Sequence, residues 1–406
     1  MFHTLLVTLL LTGGSEAVDA VIRVWYSLRI TESDFLQLIS ALKELVATSD
    51  LKTLTSDFMN VADLDQFSEL KRVWRTWIEL SVTEGRWVTE MRKAAFEKDR
   101  EIEEVMRNYL MAIPSNHKES VEMWRAEGIF PSQCEASSLT RENMTFTGSS
   151  FKFENSQRDY IFSPRPCVLP FQGWDYEEVR KTSFDDSLPK MYGVYLRKIL
   201  LKCCERLCKG EVKLHIVLSN CLQIEPFLPS GLSYDRITTS NLCDYISFTT
   251  MLTQFKAYLN HNNTYSILIT EIINWQMIFF PETGMKILRS LSRYREKVLE
   301  DTENPSVLEA GLNGYREYHN VIPDLQLYLR AALIESRSDN ELSSAGKRNR
   351  LPSMKAIVTS LGLELRDYVR NENRVFPFKW AVNCRRVTRM RGFEFALEWK
   401  LLTAAH

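Results

Sequence analysis

Between Val212 and Asp244 the chain reads VKLHIVLSNCLQIEPFLPSGLSYDRITTSNLCD: an apolar strand, a connector, a second strand and a polar turn entering a helix. A strand that delivers Thr-Thr-Ser-Asn onto a helix start belongs to α/β folds, which hold ligands beyond the carboxyl ends of their strands. The predicted strands are Leu214–Leu218, Tyr234–Thr238 and Tyr265–Ile272, with a helix over Ser240–Leu259 between the last two. Strands joined through helices pair in parallel within one sheet. Near the C-terminus Phe393, Phe395, Leu397 and Trp399 alternate with Glu394, Ala396, Glu398 and Lys400. That period of two predicts a terminal strand, and its short return makes it antiparallel.

Upstream of this region the pattern is helical. Leu5–Leu11 is an apolar run without a basic flank and too short to span a bilayer, followed by a break at Gly13-Gly14 and a second periodic stretch from Val18 to Leu28. Ser33-Asp34 opens a helix carrying Phe35, Leu38, Leu42 and Leu45, and Asp63–Leu80 carries Phe67, Leu70, Trp74 and Trp77. The Trp pair reads as core. Glu84–Leu110 is a charged, solvated helix, and His117–Glu127 is a short one closed by Gly128. Residues 131–187 lose periodicity and form an aromatic-rich excursion with a short strand at Tyr160–Phe162, anchored by Trp174. A helix over Leu188–Cys208 then opens an α/β portion, 188–406, with a loop near 336–350. The three parts, 1–130, 131–187 and 188–406, are expected to form one intimate domain.

Composition narrows the function. A formal net charge of -1 removes any global pull toward nucleic acid or acidic lipid, so neither nucleic acid nor membrane is expected as a partner. The basic stretches at Lys347–Arg350 and Arg385–Arg391 read as solvated faces. Eight cysteines include no Cys-x-x-Cys and no histidine at ligand spacing, so no metal is expected and the thiols read as reduced, in a cytoplasmic protein. Sequons at Asn143 and Asn262 offer the opposing, secreted reading. No phosphate-cradling glycine loop or hydrolase or metalloprotease motif occurs, so no cofactor is assigned.

One crevice remains as a candidate. Asp235, Ser240, Asn241, Asp244, Glu271 and Asn274 fall at or near the ends of the second and third strands. Backbone N–H groups at the helix start would face an anion there. Equally, Asn241 is a good N-cap, and Asp244, three residues on, can cap reciprocally. His215, within an apolar strand, reads as a core histidine. None of these is assigned a catalytic role.

Three stretches carry a family resemblance: FHTLLVTLLLTGGSEAVDAVIRVWYSLRI, HKESVEMWRAEGIF and YDRITTSNLCDYISFTTML, the last followed by YSILITE. Over most of residues 1–280 they resemble the uncharacterised domain shared with the N-terminal region of axonemal dynein assembly factor 3. The resemblance implies a degenerate Rossmann or methyltransferase-like fold, incomplete here, with a mixed, mainly parallel sheet, a helical N-terminal layer and an antiparallel C-terminal strand. That family's domain opens with a glycine-bearing strand, which has no counterpart before Met1, so the chain reads as N-terminally truncated, with the apolar first helix left uncovered. The function implied is a non-enzymatic cytoplasmic scaffold or assembly factor for axonemal dynein arms, with dynein chains or chaperones as protein partners. The alternative is a divergent S-adenosylmethionine-dependent methyltransferase-like enzyme.

Overall fold

The apolar run after Met1 forms α1 (Phe2–Gly13), and the Gly13-Gly14 break is a single 3₁₀ turn, Gly14–Ala17, that leads directly into α2 (Val18–Tyr26). A computed structural model describes residues 2–82, 85, 87–98, 110, 113–130, 136–151, 158–162, 174, 176–272, 322–336, 352–366 and 395–402. The chain divides into two compact units, one built mainly from Met1–Ser219 and the other mainly from residues beyond Asn220.

In the first unit α1 is not bare. Leu5, Leu6, Leu9 and Leu10 are buried against α2, against α3 (Glu32–Ala47) and against a long later helix, Leu188–Cys208. Each such leucine contributes about 1.5–3 kcal/mol relative to exposure. The expected uncovered apolar surface is therefore corrected: neighbouring helices supply the cover that the sequence reading sought in a missing sheet. Among the described residues the helical stretch His3–Tyr26 is the one long and apolar enough to cross a membrane, because helical backbone continues through the glycine break. Its leucines and valines line the core.

Helix α3 starts one residue earlier than expected. The Thr31 hydroxyl accepts from Asp34 N and the Asp34 carboxylate accepts from Thr31 N, both at 3.1 Å, a reciprocal capping box. Arg23 of α2 closes a bidentate pair on the same carboxylate at 2.6 and 2.7 Å. A single turn, α4 (Leu51–Leu54), precedes α5 (Leu64–Ser81), which is capped by Asp63 and buries Trp74 and Trp77, as the spacing predicted. The Trp77 indole donates to Thr147 O at 3.0 Å.

Helix α6 (Trp87–Lys98) has its first N–H groups, Val88 and Thr89, held by the buried Glu142 carboxylate at 2.9 and 3.1 Å. Then come α7 (Lys118–Glu127), α8 (Tyr176–Thr182) and α9 (Leu188–Cys208). Gly128 ends α7 with φ +66, and a Cβ there would meet Leu28 Cδ1 at 2.2 Å. Glycine is required at this stop. Trp174 is fully buried against the rings of Tyr176, Tyr192 and Tyr195. Helix α9 packs on α1, α2, α7 and α8 through Leu196, Leu200, Cys204 and Leu207, so it groups with the helices before it, in the first unit.

Among the described residues three two-stranded pairings decorate this helical unit. Strands β1 (Arg29–Ile30) and β3 (Arg141–Glu142) are antiparallel, as are β4 (Thr147–Phe151) and β5 (Arg158–Phe162), whereas β2 (Met59–Val61) and β6 (Leu214–Ile216) are parallel. The strand at Leu214 is thus shorter than the apolar run suggested, and it joins β2 instead of the later strands. His215 is exposed, with Nδ1 3.2 Å from Asn60 Nδ2, which corrects the reading of a core histidine. Alternation explains it: Leu214 and Ile216 turn toward the core and His215 toward solvent.

The second unit holds a four-stranded sheet in the order β7 (Arg236–Thr238), β8 (Ile267–Ile272), β10 (Phe395–Leu401), β9 (Leu363–Leu365). β7 and β8 are parallel and joined through α10 (Phe248–Lys256), while β10 runs antiparallel to both β8 and β9, the sense expected of it, although residues 366–394 separate it from β9 and the short return it was expected to make is not there. α11 (Ile322–Glu335) packs on α10 and on α12 (Met354–Ser360). Leu397 and Trp399 are buried as expected, yet Glu398 between them is buried too. It forms an ion pair with Arg366 Nη1 at 2.5 Å, as a buried charge must. The fold is mixed α/β with small sheets of parallel and antiparallel strands, not one mainly parallel sheet. The basic stretches at 347–350 and 385–391 and the loop at 337–350 lie outside the described residues.

Candidate functional site

Strand β7 is three residues long, so its two ends lie roughly 7–10 Å apart along the strand. Asp235 stands before it and Ser240 after it, at opposite ends of the parallel pair. The six candidates therefore do not share one crevice. Asp235 belongs with the turn after α10, where Asn260 Nδ2 and Asn263 Nδ2 donate to its Oδ1 at 2.9 and 2.8 Å. Those amide bonds, Asn263 first and then Asn260, hold the Asp235 carboxyl below the usual carboxylate range. The arrangement staples a surface turn.

Ser240, Asn241, Asp244 and Glu271 do converge, at the carboxyl ends of β7 and β8. Asn274 lies outside the described residues. Thr239 N continues the ladder to Ile269 O at 3.0 Å. Ser240 then turns the chain with φ +49, and its carbonyl accepts from Glu271 N at 2.8 Å. A left-handed serine at a strand end aborts the strand without starting a helix.

The chain next makes a single 3₁₀ turn, Leu242–Asp244, and α10 begins only at Phe248. The expectation of a helix from Ser240 with Asn241 as its cap is corrected. Asn241 makes no side-chain cap; its Nδ2 reaches Asp244 Oδ2 at a long 3.4 Å. The true cap is Ser247, whose hydroxyl accepts from Thr250 N at 3.1 Å. Among the described residues no α-helix starts at Asn241, so the helix-start geometry predicted there for an anion is not formed. The motif Ser247-x-x-Thr250, directly before the apolar run of α10, carried the signal that the sequence reading passed over in favour of Asn241-x-x-Asp244.

Beneath the rim sits a buried polar layer. Cys243 donates to Glu271 O at 3.0 Å, and the Trp399 indole donates to Thr270 Oγ1 at 2.9 Å. Burial, and then the Asp244 carboxylate, push the Cys243 thiol well above its ordinary range, so it is no thiolate nucleophile. Tyr328 of α11 is buried against the same groups, and burial followed by Asp244 and Cys243 drives its phenol up as well. Sequence reasoning missed Thr270, Tyr328 and Trp399 because each is an ordinary apolar-pattern position on a separate element. Among the described residues the arrangement holds no nucleophile within reach of an adjacent base. Among the described residues no three His, Cys, Asp or Glu side chains cluster to hold a metal ion. At the surface of this end stand Ser240, exposed, and Tyr245, 75% exposed.

The two sequons separate cleanly. Asn143 is fully buried, with both amide hydrogens donated, to Val24 O at 2.8 Å and Ser27 O at 2.9 Å, whereas Asn262 is exposed in the turn after α10. No protein-family model, curated protein or solved structure matches this chain.

Proposed function

We propose that the chain is a non-enzymatic cytoplasmic scaffold or assembly factor that works by binding other proteins. The observation that carries this reading is the use made of the strand-end groups. Ser240 O, Glu271 N and O and Cys243 Sγ are spent on internal bonds, while Tyr245 stands 75% exposed beside them. An aromatic ring on a polar rim suits protein contact better than chemistry. The finer architecture, a degenerate Rossmann-like sheet, draws support from the parallel β7–α10–β8 unit. Free thiols at Cys203, Cys204, Cys208, Cys221 and Cys243, and the burial of Asn143, favour a reducing compartment over secretion. Dynein chains and chaperones remain the partner classes carried by the resemblance alone.

Affinity purification of the intact chain, with mass spectrometry of what accompanies it, tests the reading against a Tyr245→Ala variant. Recovery of dynein chains or chaperones, diminished by the substitution, supports it. Micromolar binding of S-adenosylmethionine by calorimetry, with no protein recovered, replaces it with the methyltransferase-like alternative.

A further inference from the structure

The last turn of α9 brings two thiols together. Cys204 is buried, with Sγ 3.9 Å from Leu10 O of α1, and Cys208 is exposed one turn later. Their sulfurs are 3.9 Å apart. Two chemistries can use such a pair, a disulfide or a shared soft cation. A disulfide needs Cβ atoms about 3.5–4.5 Å apart, whereas positions i and i+4 of a helix hold them at about 5–6 Å. Oxidation would have to open the turn that Lys209 N and Glu211 N close onto Glu205 O and Arg206 O, both at 3.1 Å.

A shared cation needs no such movement. With metal–sulfur bonds of about 2.3 Å, sulfurs 3.9 Å apart subtend about 116° at an ion bonded equally to both. That is near the angle of a trigonal three-ligand site. The donor set then selects the ion. Zinc asks for four ligands, and among the described residues no cluster of three candidate ligands exists. Monovalent copper accepts few ligands and prefers sulfur. The end of a helix, where carbonyls carry partial negative charge, also favours a cation.

We propose that Cys204 and Cys208 form an exchangeable site for a soft monovalent cation of the copper(I) class, entered from the Cys208 side. Binding replaces the two thiol protons with two metal–sulfur bonds and releases both protons; the metal keeps its oxidation state. The third position is left to an external thiol, so the ion can be passed on.

The intact chain is titrated anaerobically with copper(I) against a chromophoric copper(I) chelator, and Cys208→Ser, Cys208→Ala and Cys221→Ser are compared with the parent. Position 208 is exposed, so these variants leave the core untouched; retained melting behaviour verifies it. Loss of one chelator-resistant equivalent in both Cys208 variants, by more than the roughly 100-fold that outer-sphere changes cost, with Cys221→Ser unchanged, is the expected result. Parent-like retention in either Cys208 variant overturns the site. Zinc competing equally with copper(I), with the same Cys208 dependence, overturns the ion class.

Discussion

Asn143 carries the most severe single test of how the first unit is held together. The side chain is fully buried and stitches the end of α2 to the segment after β3. Its amide donates to Val24 O and Ser27 O at 2.8 and 2.9 Å, and its Oδ1 accepts from Thr145 N at 3.2 Å and Thr145 Oγ1 at 2.6 Å. The two carbonyls lie at a helix end, where no further turn supplies donors; Val24 O also receives a long 3.5 Å bond from Thr145 Oγ1. Asn143→Ala removes both amide bonds. A buried acceptor left without its donor costs about 1–3 kcal/mol; Ser27 O bears this in full and Val24 O, still reached by Thr145 Oγ1, only in part, giving roughly 2 kcal/mol. Asn143→Asp keeps the shape but aims a carboxylate at two carbonyl oxygens. It should cost at least as much at neutral pH. Its folded-state pKa would be raised, so its deficit should shrink as pH falls and the carboxyl regains a donor.

The assay is urea unfolding followed by tryptophan fluorescence, fitted with separate transitions for the two units because one two-state fit does not apply. A shift of less than about 0.5 kcal/mol for Asn143→Ala, the ordinary range of a surface change, would refute the reasoning. So would an Asn143→Asp variant as stable as the parent at neutral pH. Either result would mean that the four bonds do not restrain the folded state.

The geometry sets three further outcomes. Burial pushes the Asp34 carboxyl up, but Arg23 and Thr31 more than reverse this and hold it below the usual carboxylate range. Its stabilisation is therefore present above that range and lost as pH falls through the depressed value; Asp34→Asn should lower the urea midpoint at neutral pH and flatten its acid limb. Gly128→Ala should cost at least about 1–2 kcal/mol for the left-handed backbone alone, and more from the contact with Leu28, read as a lowered melting temperature. Ser247→Ala should lose about 1 kcal/mol as a true cap, while Asn241→Ala stays within about 0.5 kcal/mol; equal losses in calorimetry would contradict the cap assignment.

The sequence by itself determined the elements whose signals are local. Periodicity placed α3, α5, α7 and α9 and marked Trp74 and Trp77 as core, because an apolar stripe and a capping residue act within a few neighbours; Trp174 was legible only as an isolated loop tryptophan, which usually fills an apolar pocket. The terminal strand β10 was legible for the same reason, through its alternation; its antiparallel sense was expected from a short return, yet residues 366–394 precede it, so the sense was set by pairing and not by the connection. Pairing was not legible. Leu214–Ile216 carries no mark that sends it to Met59–Val61, since register is chosen by distant surfaces. Neither did local pattern reveal that Glu398 is buried, because its ion partner, Arg366, comes from another element. At the candidate site, Asn241 and Ser247 compete as caps on equal local terms. The left-handed turn at Ser240 decided between them, and that turn is held by Glu271 N from the next strand. Local free energies of about 1 kcal/mol per cap are small enough for one tertiary hydrogen bond to overrule.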